Sequence, residues 1–152
     1  MKRLAITATA AILALASVTT VALADRVYHS SHIALEPVGA APLRSGFVQN
    51  IHPNGPNVYA VEVYVLNGAD ANTEYQVFLH IFAFDPACTG APAASINTAT
   101  INTNAAGNGR GSIHLTPAAA AGLTGATHGA MWTVEQGGVV VYATACETVV
   151  LD

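Results

Sequence analysis

The stretch Val58-Tyr-Ala-Val-Glu-Val-Tyr-Val-Leu66, then Asn67-Gly-Ala-Asp-Ala-Asn-Thr73, then Tyr75-Gln-Val-Phe-Leu-His-Ile-Phe-Ala-Phe84, decides how the chain is read. In the first segment Val61, Val63 and Val65 alternate with Glu62 and Tyr64. A period of two marks a half-buried strand, and the polar partners Glu62 and Tyr64 are expected on its solvated side. The last segment is apolar on both faces, with Tyr75, Val77, Leu79 and Ile81 against Phe78, Phe82 and Phe84. That pattern fits a central strand covered on two sides. The segment between them is turn-rich and of hairpin length.

Working outward, the same pattern recurs. Strands are expected at Ser45–Ile51, Asn97–Thr103, Gly111–Leu115, Ala130–Glu135, Val139–Ala145 and Thr148–Leu151. Ala105-Ala-Gly-Asn-Gly109 and Gln136-Gly-Gly138 supply turns, because Gly and Asn accept the positive φ that tight connections require. Helical periodicity is almost absent; one helical turn is expected at Pro117–Gly122, with Thr116 as its N-cap. A strand about every 8 to 12 residues with Pro or Gly at the joints predicts an all-β fold. The expected form is an antiparallel Ig-like or Greek-key β-sandwich of about seven to nine strands.

The N-terminus has a different character. Met1-Lys-Arg3, the apolar run Leu4–Ala16 and the small residues of Ala22-Leu-Ala24 have the three-part layout of a secretory signal peptide, with cleavage expected after Ala24. The apolar run is too short for a membrane span. Residues 1–24 are therefore expected to be an address, and Asp25–Asp152 a single domain long enough for one core.

Once Lys2 and Arg3 leave with the signal, Arg26, Arg44 and Arg110 are the only basic residues, against nine acidic ones, a formal charge of 3 − 9 = −6. Three scattered Arg cannot displace the counterions of a nucleic acid, and they give no purchase on anionic lipid. Neither nucleic acid nor membrane insertion of the mature chain is expected.

Cys88 and Cys146 are the only cysteines. In an exported domain two thiols pair, and both follow strand-like runs, so a structural disulfide is expected. The alternatives are two free thiols or half of a metal site.

Two resemblances follow from quoted residues. Leu66-Asn-Gly-Ala-Asp-Ala-Asn-Thr-Glu-Tyr-Gln-Val77, Thr103-Asn-Ala-Ala-Gly-Asn-Gly109 and Gly138-Val-Val-Val-Tyr-Ala-Thr144 are similar to a plan of small secreted bacterial β-sandwich proteins of uncharacterised function. The likeness covers most of Asn57–Thr144, implies a fold and carries no catalytic residue. Gly122-Leu-Thr-Gly-Ala-Thr-His-Gly-Ala-Met-Trp-Thr-Val-Glu135 resembles the copper-ligand segment of copper/zinc superoxide dismutases. The two positions that would carry copper ligands there hold Met131 and Thr133, so no copper is implied at His128, which reads as a polar residue at a strand entrance.

The remaining candidates weaken on inspection. His29 and His32 would fall on opposite faces of a strand, and supply two ligands at most. His80 and His114, which a two-sheet fold could bring near each other, read as hydrogen-bonded core or interface residues. Ser112 has His114 on its own face but lacks a nucleophile elbow. Glu62 and Glu74 can be posed as a glycosidase pair, yet outward carboxylates are the ordinary face of a sandwich. No catalytic residue, metal or cofactor is expected.

Two non-enzymatic readings are left: a structural or partner-binding component of the cell exterior, self-association included, and a small-molecule or glycan binder. The second would use exposed aromatic side chains, with Tyr64 and Trp132 the first candidates and Tyr59 and Tyr142 beside them.

Overall fold

A computed structural model describes residues 28–53, 60–116, 122 and 126–151. Nine strands run in chain order: β1 (Tyr28–Pro37), β2 (Ser45–Pro53), β3 (Ala60–Asn67), β4 (Glu74–Phe82), β5 (Ala94–Asn102), β6 (Gly109–Leu115), β7 (Ala126–Gln136), β8 (Val139–Thr144) and β9 (Glu147–Leu151). There is no helix among the described residues. All pairings are antiparallel and follow one path, β5-β4-β7-β8-β1-β2-β3-β6, with β9 beside β7.

β1 is the fold's hinge. Its residues Tyr28–Ala34 pair with β2, whereas Leu35–Pro37 pair with β8. The change of partner bends the sheet back on itself and brings the end strands β5 and β6 into contact, giving a nearly closed, barrel-like body. Inside lie Ile33, Leu35, Val48, Tyr64, Leu66, Tyr75, Val77, Ile101, Trp132, Val134 and Tyr142. Burying each large apolar side chain contributes about 1.5–3 kcal/mol.

The structure departs from the sequence reading in three places. The first strand is β1 itself, a region whose polar opening Tyr28-His-Ser-Ser-His32 gives little strand signal. The second is β3, where alternation is as expected but the sides are reversed: Glu62, Tyr64 and Leu66 are buried and Val61, Val63 and Val65 face outward, half-exposed. The third is the supposed hairpin. β3 pairs with β2 and β6, and β4 with β5 and β7, so Asn67–Thr73 is a crossover between the two halves of the barrel. β4 is central as expected, but Phe78 on its outer face is half-exposed and Phe84, beyond its end, is 72% exposed.

The β5–β6 connection is a second crossover at the same end, and the two lock together. Ala69 N donates to Gly107 O (3.0 Å), Asn72 N to Asn104 O (3.1 Å) and Thr103 N to Thr73 O (3.0 Å). Thr103 Oγ1 accepts from Thr73 N (2.9 Å) and stands 2.6 Å from Asp70 O. Asn108 Oδ1 accepts from Gly68 N, and the Tyr75 hydroxyl from Asp70 N. Gly107 has φ 72°, and a Cβ there would drive into Ala69 O. Gly68, Asn72, Thr73, Thr103, Asn104, Gly107 and Asn108 are thus the parts of this lock.

The opposite end carries the Cys88–Cys146 disulfide. It joins the β4–β5 loop to the β8–β9 junction, and β7 runs beneath it at Gly129, where a Cβ would lie 2.7 Å from Cys88 Sγ and 3.3 Å from Cys146 Sγ. Residues 1–24 and 117–121, with Tyr59, lie outside the described residues.

Candidate functional site

The most concentrated polar chemistry sits inside the barrel. The alternation of β3 carries Glu62 and Tyr64 inward, and Trp132 reaches them from β7. Glu62 is 1% exposed; Tyr64 and Trp132 are 0% exposed. Glu62 Oε2 accepts from the Tyr64 hydroxyl and from Trp132 Nε1–H, the latter at 2.9 Å. Having one proton, the Tyr64 hydroxyl donates to the carboxylate and accepts from Thr98, whose Oγ1 is 2.7 Å away and 3.3 Å from Val77 O. Burial pushes the Glu62 carboxyl above its ordinary value, with the bonds from Tyr64 and Trp132 pulling the other way. Burial, then the Glu62 charge, raises the Tyr64 phenol as well.

Such a cluster orients and anchors. It joins β3, β5 and β7 through hydrogen bonds to one carboxylate, and a half-satisfied version would cost more than an apolar core. The expected exposed platform is absent at these positions, because both Tyr64 and Trp132 are interior. Tyr142 is also interior, with its hydroxyl donating to Pro42 O (2.8 Å). Nor do Glu62 and Glu74 form a pair across a cleft: Glu62 is inside and Glu74 is exposed.

On the outer face His80 bridges three strands. Its Nδ1 lies 2.8 Å from Ser95 Oγ on β5 and its Nε2 2.8 Å from Thr133 Oγ1 on β7. Partial burial lowers its pKa, with Glu135 opposing. A serine beside an imidazole suggests acyl chemistry, but a hydroxyl occupies the place of the orienting carboxylate. His114 and Ser112 are exposed on β6, so His80 and His114 face solvent from different ladders.

At the disulfide end His128 is fully buried, its ring 5.2 Å from that of Phe84, and its Nδ1 accepts from Phe84 N (3.2 Å). An accepting Nδ1 puts the ring proton on Nε2. Nearby, Asp85 Oδ2 accepts from Thr89 N (2.7 Å) and Gly90 N (2.8 Å), which with other amide bonds holds its carboxyl below the ordinary range. His32 is exposed, with its ring 4.2 Å from that of Phe47, while the side chain of His29 lies outside the described residues. Among the described residues no three His, Cys, Asp or Glu gather in a metal-binding group.

What sequence reasoning missed is a surface. Reversal of β3 puts Val61, Val63 and Val65 outside, where register sets Val61 opposite Ile51 and Val65 opposite Phe47. These five partly exposed apolar side chains share one outer face with Gln49, which lies between Phe47 and Ile51 and opposite Val63; the face is bordered on β6 by Arg110, Ser112 and His114 and on β1 by Ser30, His32 and Ala34. Comparison with protein-family models, curated proteins and solved structures finds no match for the chain.

Proposed function

We propose that the chain is an exported, non-catalytic β-barrel of flattened, sandwich-like form that works through its surface as a structural or partner-binding component of the cell exterior. The observation that carries this reading is the outward patch of Phe47, Ile51, Val61, Val63 and Val65. A strand that turns its valines out and its glutamate and tyrosine in leaves apolar area available to a partner. The disulfide and the signal-like N-terminus favour an oxidising compartment. Among the described residues no helix is long and apolar enough to cross a membrane. The interior position of Tyr64 and Trp132 gives no support to the glycan-binding alternative.

The test places a photo-crosslinking residue at Val63, with one at Thr89 in the disulfide-end loop as control, in protein exported by its own cells. The mature chain should begin at Asp25 and form a discrete protein adduct from position 63 and none from 89. Equal labelling at both positions, or none at 63, would defeat the reading.

A further inference from the structure

We infer that Glu62 is held inside the barrel as the neutral acid and that its Oε1–H donates to Asn50 Oδ1, so that the two side chains form a clasp between β2 and β3 that opens when the proton leaves. The two residues stand directly opposite each other in the β2–β3 ladder, and both are interior, Asn50 4% and Glu62 1% exposed. Side chains so placed have Cβ atoms about 4.5–5.5 Å apart, which puts their polar ends within reach of each other. Among the described residues, Asn50 Oδ1 is the one buried side-chain oxygen or nitrogen without a hydrogen-bond partner. A buried acceptor in that state costs its full desolvation unless a donor meets it.

The bonds of Glu62 are distributed as a neutral acid needs them. The Tyr64 hydroxyl and Trp132 Nε1–H both donate to one oxygen, Oε2, and among the described residues no donor reaches Oε1. An ionised carboxylate only accepts, and would set Oε1 beside a second acceptor; a protonated one has an O–H to give to it. No positive charge is at hand to hold the ionised form, since Arg44 and Arg110 are exposed. Of the titratable side chains turned inward, Tyr64 on β3 is itself a donor to Glu62. Tyr75 on β4 and Tyr142 on β8 lie together, ring centroids 5.7 Å apart, and the Tyr75 hydroxyl reaches the crossover at Asp70 N. His128 on β7 lies four residues along the strand from Trp132, roughly 13 Å away, and accepts from Phe84 N. β2, β5 and β6 present Asn50, Thr98 and Ile113, none of which titrates.

Such a clasp makes the β2–β3 ladder sensitive to pH. Burial holds the Glu62 carboxyl above its ordinary value, so the clasp is closed at low pH and opens as pH rises through that raised value. The proton then passes to solvent, two acceptor oxygens face each other, and the strands loosen at this rung. Ile51, Val61 and Val63 are the immediate chain neighbours of the pair and face the other way, so the part of the outer face that they form loosens with it.

The experiment is a carbon-13 NMR titration of the Glu62 carboxyl in the oxidised mature chain, native and Asn50→Leu, with Trp132 emission confirming that each is folded. Leu has nearly the shape of Asn and no acceptor, so it removes support from the neutral acid alone. The Glu62 pKa should fall in Asn50→Leu by about one unit, the worth of one buried hydrogen bond. A pKa that rises, as it would if the Asn50 amide N–H or a bridging water donated to a carboxylate, or one that stays put, would overturn the proposal. A second measurement does without that variant: amide exchange at residues 49–51 and 61–63, native against Glu62→Gln, whose side-chain amide keeps a donor for Asn50 Oδ1 at every pH. Exchange in the native chain should pull ahead of Glu62→Gln as pH passes the native Glu62 pKa. Equal rates across the range would sink the clasp as well.

Discussion

Replacing Glu62 by Gln should make the protein more stable at neutral pH, by an amount that grows with pH. The carboxyl is buried, and desolvation raises its pKa in the folded chain despite the hydrogen bonds from Tyr64 and Trp132. In the unfolded chain it titrates near the ordinary glutamate value of about 4.3. Between that value and the raised one the folded state holds a proton that the unfolded state has released. Stability from this group is therefore complete below the unfolded pKa and is lost as pH rises through the folded one. Across that window the loss is about 1.4 kcal/mol per pH unit, and above it the curve is flat.

Gln keeps an oxygen to accept from Tyr64 and Trp132 and has no charge to bury. The stability difference between Glu62→Gln and the native chain should thus climb with pH at up to that slope. All other titrating groups cancel in the difference. Urea unfolding followed by Trp132 emission at a series of pH values measures it directly, since Trp132 is the only tryptophan and is fully buried. A difference that does not change with pH, or that falls as pH rises, would refute the claim that Glu62 is a desolvated carboxyl in the folded protein.

Three further outcomes are expected. Replacing Cys88 and Cys146 by Ser opens a loop with a sequence separation of 58 residues and should cost about 4 kcal/mol in the loop-closure model, read as a drop in the urea midpoint. Gly107→Ala should cost on the order of 2–3 kcal/mol, because φ 72° and the Ala69 carbonyl both oppose a Cβ; Gly138→Ala, with φ 82° and open space, should cost about 1. Loss of the crossover lock would appear in faster amide exchange at Ala69 and Asn72. Titration of the His80 imidazole by NMR should give a pKa below the ordinary 6.5, so its contribution to stability is present above that value and lost as pH falls through the lowered one.

The all-β class, eight of the nine strands in outline and the disulfide are legible in the sequence, because period-two alternation, Gly and Asn turns and cysteine count are local signals. β1 is hard to read since only Ile33 and Leu35 of its ten residues are core apolar positions. The side of β3 is hidden for another reason. Val61, Val63 and Val65 outrank Glu62 and Tyr64 in hydropathy, but the interior has a tryptophan N–H and a phenol to satisfy, and Glu62 is the acceptor that meets both. Reading that needs Trp132, 70 residues away. The same reversal conceals the outer patch, and the crossover at Asn67–Thr73 looks like a hairpin until Thr103–Gly107 is placed against it.

β1 has a consequence for the order of events in folding. Its first seven described residues find their partner in the next strand, but Leu35–Pro37 wait for Tyr142–Thr144, near the other end of the chain. Contacts of such long sequence separation are slow to form, since loop closure comes before any reward. A nascent or translocating chain lacking β8 holds a β1 that is half docked and a sheet that cannot bend round. Completion of the barrel is therefore a whole-chain event, and a polypeptide threaded through a narrow passage would arrive on the far side still extended, with its last strands deciding when it becomes a solid body.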